Sequence, residues 1–123
     1  MKRQWILLVL AVAVTTVVSV LIPRLSRPLE RFDVGLRLLE QGRAADAVHL
    51  FEDPQWRAVA EYRAGRYQRA VASFASSRES ASLYNLGTAY ARLNNWDGAK
   101  AAYREALRLD PDHTDAQHNL TID

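Results

Sequence analysis

From Trp5 to Ile22 the chain is apolar on every face, and only Thr15, Thr16 and Ser19 interrupt it. A run of about eighteen such residues rises roughly 27 Å as a helix, enough to cross the hydrocarbon core of a bilayer. From Arg31 onward the pattern changes. No period-two alternation of Val, Ile or Thr is found, and Ala, Leu, Arg and Glu dominate, which predicts an all-α segment. The periodicity is sharpest toward the C-terminus, where Leu83, Leu86, Gly87, Tyr90 and Leu93 recur on one helical face before "LNNWDG" breaks the helix. A second helix is expected from about Trp96 to Leu109, with Ala99, Tyr103, Ala106 and Leu107 facing inward and "DPDH" closing it. Small residues at Gly87 and Ala99 mark a line along which two antiparallel helices approach closely, with aromatic residues filling the space beside it.

The same arrangement recurs upstream. Gly42 is followed five residues later by Ala47 and four after that by Phe51, and Gly65, Ala70 and Phe74 repeat the spacing, as do Asn94, Ala99 and Tyr103. Self-similarity of this kind predicts stacked helical pairs, each burying its apolar face against its neighbours. The first two pairs are cut short, one by Asp53 and Pro54 and the other by "SSRES". "TDAQHNL" follows the third pair as a partial helix, with Leu120 expected over the open end as a cap. The expected architecture is therefore all-α: a membrane anchor over residues 1–26, then an α-solenoid of about three helical pairs with a C-terminal capping helix over residues 29–123.

Composition narrows the function classes. With 123 residues and the apolar run set aside, the chain has room for one small domain, which disfavours an enzyme with a deep enclosed pocket. No cysteine is present, which removes disulfides, thiolate metal sites and cysteine nucleophiles. The formal charge of +2 comes mostly from arginines scattered along the chain. Scattered arginine gives no stripe to track a phosphate backbone, so nucleic acid is not an expected partner. The apolar segment lacks a small-x-small site after it and is longer than a secretory core, which favours an uncleaved anchor over a removed signal. Basic residues flank both ends, Lys2 and Arg3 before it and Arg24, Arg27 and Arg31 after it. The positive-inside count therefore does not decide orientation; a very short basic head before the first apolar run usually stays in the cytoplasm, as in signal anchors, and this orientation places the rest of the chain on the periplasmic side of a bacterial inner membrane.

Candidate chemistry is sparse. His113 and His118 lie five apart near Asp110, Asp112 and Asp115, whereas metal-binding histidines on one helical face prefer a spacing of four, so no metal site is expected. His49 stands alone on a helix. Tyr62, Tyr67, Tyr84, Tyr90 and Tyr103, with Trp56 and Trp96, fall mostly at packing positions. Asp97 reads as a first-turn acid and Glu105 as a solvated charge. No phosphate-cradling loop or nucleophile turn is present, so neither enzymatic activity nor a cofactor is expected.

At Leu83, Leu86, Gly87, Tyr90, Ala99, Tyr103, Ala106 and Pro111 the chain resembles a tetratricopeptide repeat protein. The resemblance implies a protein-interaction scaffold in which the inner face of each pair's first helix holds an extended peptide or partner helix. On that face the partner-binding residues are expected to be Tyr62 and Arg63 from the second pair, Tyr84, Asn85, Thr88 and Arg92 from the third, and Asn119 from the cap. The family's carboxylate-clamping variety uses lysines with asparagines here; Tyr84 and Thr88 stand in two of those places. Between Leu36 and Leu120 the chain is also similar to the repeat tail of Bat-type proteins, bacterial inner-membrane proteins encoded beside MoxR ATPases. Their von Willebrand factor A domain is absent from this sequence. The function implied is a membrane-anchored scaffold or assembly factor within a Bat and MoxR type complex; the alternative is a structural subunit whose transmembrane helix mediates assembly.

Overall fold

A computed structural model describes residues 2–121 as helices joined by short turns, 82% helical with no strand among the described residues. Helix α1 spans Lys2–Glu40, and α2 (Ala44–Ala47) runs into a 3₁₀ turn at Val48–Leu50. They are followed by α3 (Pro54–Arg63), α4 (Tyr67–Phe74), α5 (Ser80–Arg92), α6 (Trp96–Leu109) and α7 (Thr114–Thr121). These seven helices take a tetratricopeptide-like arrangement of three hairpins, α1 with α2, α3 with α4 and α5 with α6, closed by α7.

Helix α1 is long and apolar enough to cross a membrane, and none of its most apolar stretch is buried in the protein. The hydroxyls of Thr15, Thr16 and Ser19 donate to carbonyls three or four residues back in the same helix. Each polar side chain in the apolar run is thereby satisfied within the helix, as hydrocarbon surroundings demand. The boundary expected between residues 26 and 29 falls inside α1, which carries Pro23 and Pro28 and continues as the first helix of the first pair.

Each pair closes its turn in the same way. Gly42, Gly65 and Asn94 have φ of 73°, 77° and 58°, the left-handed conformation that glycine and asparagine adopt at least cost. The amide of the next residue then reaches five positions back across the turn: Arg43 to the Leu38 carbonyl and Arg66 to the Glu61 carbonyl at 2.8 Å, Asn95 to the Tyr90 carbonyl at 2.9 Å. Five residues after each turn residue, Ala47, Ala70 and Ala99 are buried, and four further on so are Phe51, Phe74 and Tyr103.

A fourth position belongs to this register, seven residues before each turn residue: Gly35, Ala58 and Gly87, all buried. A Cβ added at Gly35 would come within 2.8 Å of the Phe51 ring, and one at Gly87 would enter the Tyr103 ring. The aromatic ring therefore lies directly on the glycine of the facing helix, rather than only beside the contact line. In the second pair Ala58 takes that place without breaking the hairpin.

Two clusters form the core. One joins Leu39, Ala44, Ala47, Val48, Phe51 and Ala60 between the first and second pairs, and the other runs from Ala58 through Phe74, Leu86 and Tyr103 to Ala116 on α7. Leu120 packs against the second cluster at its open end. The shortened second helices have local causes. Phe51 turns extended at the end of the 3₁₀ turn, and Asp53 caps α3 by accepting from the Gln55 amide at 2.8 Å with Pro54 at the first helical position. Helix α6 instead runs its full fourteen residues, with Asn95 accepting from the Gly98 amide at 2.9 Å and Asp97 in the first turn.

Candidate functional site: a groove across the first helices

Helices α1, α3 and α5 run side by side in the same direction. Phe32 on α1 meets Trp56 on α3 edge to face, with ring centres 5.4 Å apart, and Arg92 at the end of α5 donates from Nε to the Tyr62 hydroxyl at the end of α3, at 3.2 Å. Between α3 and α5 this leaves a hollow of about 390 Å³ whose walls include Trp56, Val59, Tyr62, Arg63, Asn85 and Thr88. A second hollow shares Tyr62 and Thr88 and continues past Arg92 to Trp96. The two form a continuous groove running along α3 and α5 toward the turn end of the third pair.

Five of the residues expected on the binding face are thus brought together: Tyr62, Arg63, Asn85, Thr88 and Arg92. Of the other two, Asn119 lines a third hollow that shares Ala91, Trp96 and Tyr103 with the second, while Tyr84 lies outside all three. Tyr84 sits in the seam between α5 and α7, with its ring centre 4.9 Å from that of His113 and 5.7 Å from that of Tyr103. Asn119 donates from Nδ2 to the Tyr84 hydroxyl at 3.4 Å, so this pair ties the capping helix to the third hairpin. His113 also accepts from the Ala116 amide through Nδ1 at 3.4 Å, the role of a helix cap. Among the described residues no three or more His, Asp or Glu side chains gather into a possible metal site.

The two tryptophans are more exposed than a core role alone requires, although Trp56 also stacks on the buried Phe51 with ring centres 5.8 Å apart. Trp56 is 38% exposed and Trp96 59% exposed, and both line the groove. Amphipathic rings held at a groove wall are the side chains that most often dominate binding energy. The signal in the sequence was their place: Trp56 opens α3 and Trp96 opens α6, both outside the register of buried positions.

Electrostatically the groove is cationic toward its turn end, where the two hollows carry Arg63 and Arg92 and no carboxylate. Toward its other end a hollow that shares Trp56, Val59 and Asn85 is lined by Asp53 and Glu79. The hydrogen bond to Tyr62 holds the Arg92 guanidinium above its ordinary pKa, so it stays charged throughout the physiological range. Burial pushes the Tyr103 hydroxyl above the usual tyrosine value, partly offset by a hydrogen bond with Asn119. The arginines, dispersed in the sequence, are not dispersed in space: the fold gathers several of them at the turn end of the second and third pairs.

With this geometry the comparison with known families is specific. Residues 80–113 match the tetratricopeptide repeat family. The match covers the whole α5 and α6 hairpin and the turn after it. The first and second hairpins keep the repeat's left-handed turn, small residue and aromatic at the same offsets. Tetratricopeptide repeats are protein-interaction modules, which supports a protein partner for this groove. No curated protein matches the chain.

Proposed function

We propose that the protein is a non-catalytic scaffold that holds an extended segment of a partner protein in the groove between α3 and α5. The reading is carried by one observation: the groove presents Trp56, Val59 and Tyr62 as apolar anchors beside Asn85, Thr88 and Arg92, which offer hydrogen bonds to a peptide backbone or side chain. An extended chain laid there gains main-chain hydrogen bonds and buries one row of side chains.

The apolar run of α1 supports anchoring in a membrane, and the short basic head Lys2 and Arg3 supports a single pass in a bacterial inner membrane with the repeats on the periplasmic side. The resemblance of residues 36–120 to Bat-type repeat tails supports a place in a Bat and MoxR type complex. In the alternative reading, α1 itself assembles a larger membrane complex and the repeats cap it.

A photo-crosslinking residue at Thr88 tests the function. Crosslinks to a protein partner that are lost with Trp56→Ala and Asn85→Ala support it. Crosslinks that persist in those variants, or that arise only from positions in α1, overturn it.

A further inference from the structure

Beyond the groove, the fold sorts charge by edge. The turns inside the pairs, residues 41–43, 64–66 and 93–95, carry Arg43 and Arg66 and no acid. The loops between pairs, residues 51–53, 75–79 and 110–113, carry the exposed acids Glu52, Asp53, Glu79, Asp110 and Asp112 against one arginine, Arg78. Arg63 and Arg92 flank the second and third turns, and Arg69 follows one turn of helix after Arg66. Leu93, 37% exposed, and Tyr67 face a shallow hollow together with Arg66 and Arg69, and no carboxylate lines it. The acids flanking these turns in the chain are Glu40, Asp46, which is held by Arg43 at 3.0 Å, Glu61, which is buried, and Asp97.

Two of these arginines suit the helices that carry them and two do not. Arg63 and Arg92 stand in the last turns of α3 and α5, where a cation complements the helix dipole. Arg66 and Arg69 open α4, where a cation opposes it; α4 has no acid in its first turn and no side-chain cap. Neither Arg66 nor Arg69 makes a side-chain hydrogen bond or an ion pair within the described protein. Their placement disfavours the helix they begin and satisfies nothing inside the fold.

We propose that the edge formed by Arg63, Arg66, Arg69 and Arg92 around Leu93 and Tyr67 docks an acidic segment of a protein partner that also carries an apolar side chain. Charge complementarity sets the sign of the ligand, and Leu93 with Tyr67 supplies the apolar contact. The choice of a protein over a lipid surface rests on the proposed anchoring. The helix from Ile22 to Glu40 rises about 27 Å, and the second and third turns share the end of the stack at which it finishes. A separation of that size is several times the screening length of about 8 Å at physiological salt. The edge therefore points away from the headgroups next to the anchor. It extends the groove reading, because Arg63 and Arg92 belong to both surfaces while Arg66 and Arg69 belong to the edge alone.

The test uses the full chain in nanodiscs of zwitterionic lipid and a fluorescent peptide of alternating glutamate and leucine. Binding read by anisotropy should fall with added salt, should be absent for the lysine and leucine counterpart, and should weaken about tenfold or more in Arg66→Glu/Arg69→Glu. The Arg66→Lys/Arg69→Lys variant should recover part of it. The glutamate variant should melt at the same temperature or higher, whereas a structural role for the two arginines would lower it. No binding by the wild type, equal binding of the lysine peptide, or unchanged binding by the glutamate variant overturns the proposal. Retained binding in that variant with loss in Trp56→Ala and Asn85→Ala overturns the edge while leaving the groove standing. Displacement of the peptide by phosphatidylglycerol vesicles or by duplex DNA at lower charge concentration than the free peptide needs would reassign the edge to those polyanions and equally overturn it.

Discussion

Arg92 and Tyr62, thirty residues apart, meet across the groove at 3.2 Å and join the ends of two first helices. Both are accessible from the groove, so the bond positions binding groups more than it holds the fold. Arg92→Ala should weaken capture of the partner roughly fivefold or more, with helicity and melting temperature nearly unchanged. Tyr62→Phe, which removes only the acceptor, should give a smaller loss. Capture measured by pull-down against purified partner, with circular dichroism alongside, checks both; unchanged capture in Arg92→Ala would remove it from the site.

Tyr84 behaves differently from Arg92, because its ring lies between Tyr103 and His113 and its hydroxyl accepts from Asn119. Tyr84→Ala should loosen α7 and lower the melting temperature. Hydrogen exchange should rise over residues 114–121 before it rises over α5. Equal protection in the variant and the wild type would show that the seam does not hold the cap.

The contact of Gly87 with the Tyr103 ring leaves no room for a side chain. Gly87→Ala should destabilise the third hairpin by about 1–3 kcal/mol, the usual cost of overpacking, and Gly87→Leu by more. Thermal melts of the two variants measure the ordering.

Glu61 is buried at the place in its hairpin that Leu38 and Tyr90 hold in theirs, four residues before the turn, and its Oε2 has no hydrogen-bond partner. An unmatched buried polar atom costs about 1–3 kcal/mol. Glu61→Leu should therefore raise stability by about 1 kcal/mol or more, measured by chemical denaturation. A lower midpoint would mean that the carboxylate has a partner in solution.

Alkali should act through Tyr103. Its folded pKa lies above the unfolded value because burial disfavours the phenolate, so the stability it contributes is intact below about pH 10 and is lost as the pH rises from there through the folded pKa. Tyr103→Phe should flatten that loss in melts taken across the alkaline range.

Much of this architecture could be read from residue types, because the constraints are local. A left-handed turn residue admits glycine or asparagine, a close helix crossing admits glycine or alanine, and both recur at fixed offsets; Trp96 and Leu109 were expected as the bounds of α6, and they are. The register extends one position further than expected, to Gly35 and Ala58, which stand the same seven residues before their turns as Gly87. The groove was readable where it depends on one helix, as with Asn85, Thr88 and Arg92. It was not readable where it depends on docking. The displacement of Tyr84 into a seam follows from where α7 lies, and the gathering of Arg66 and Arg69 with Arg92 follows from the stacking of two hairpins, which brings together residues more than twenty positions apart in the chain.

Helix α1 passes from its apolar run into the first hairpin with no flexible spacer. Where that run sits in a bilayer, the repeats become a mast rather than a tethered float: they cannot sweep a volume in search of a partner, and the height and heading of the groove are set by the tilt of the span. Pro23 and Pro28, each lacking an amide to donate to the preceding turn, are the only joints on that shaft among the described residues. Bending there would swing the whole binding surface as one piece, so bilayer thickness and partner access become mechanically linked.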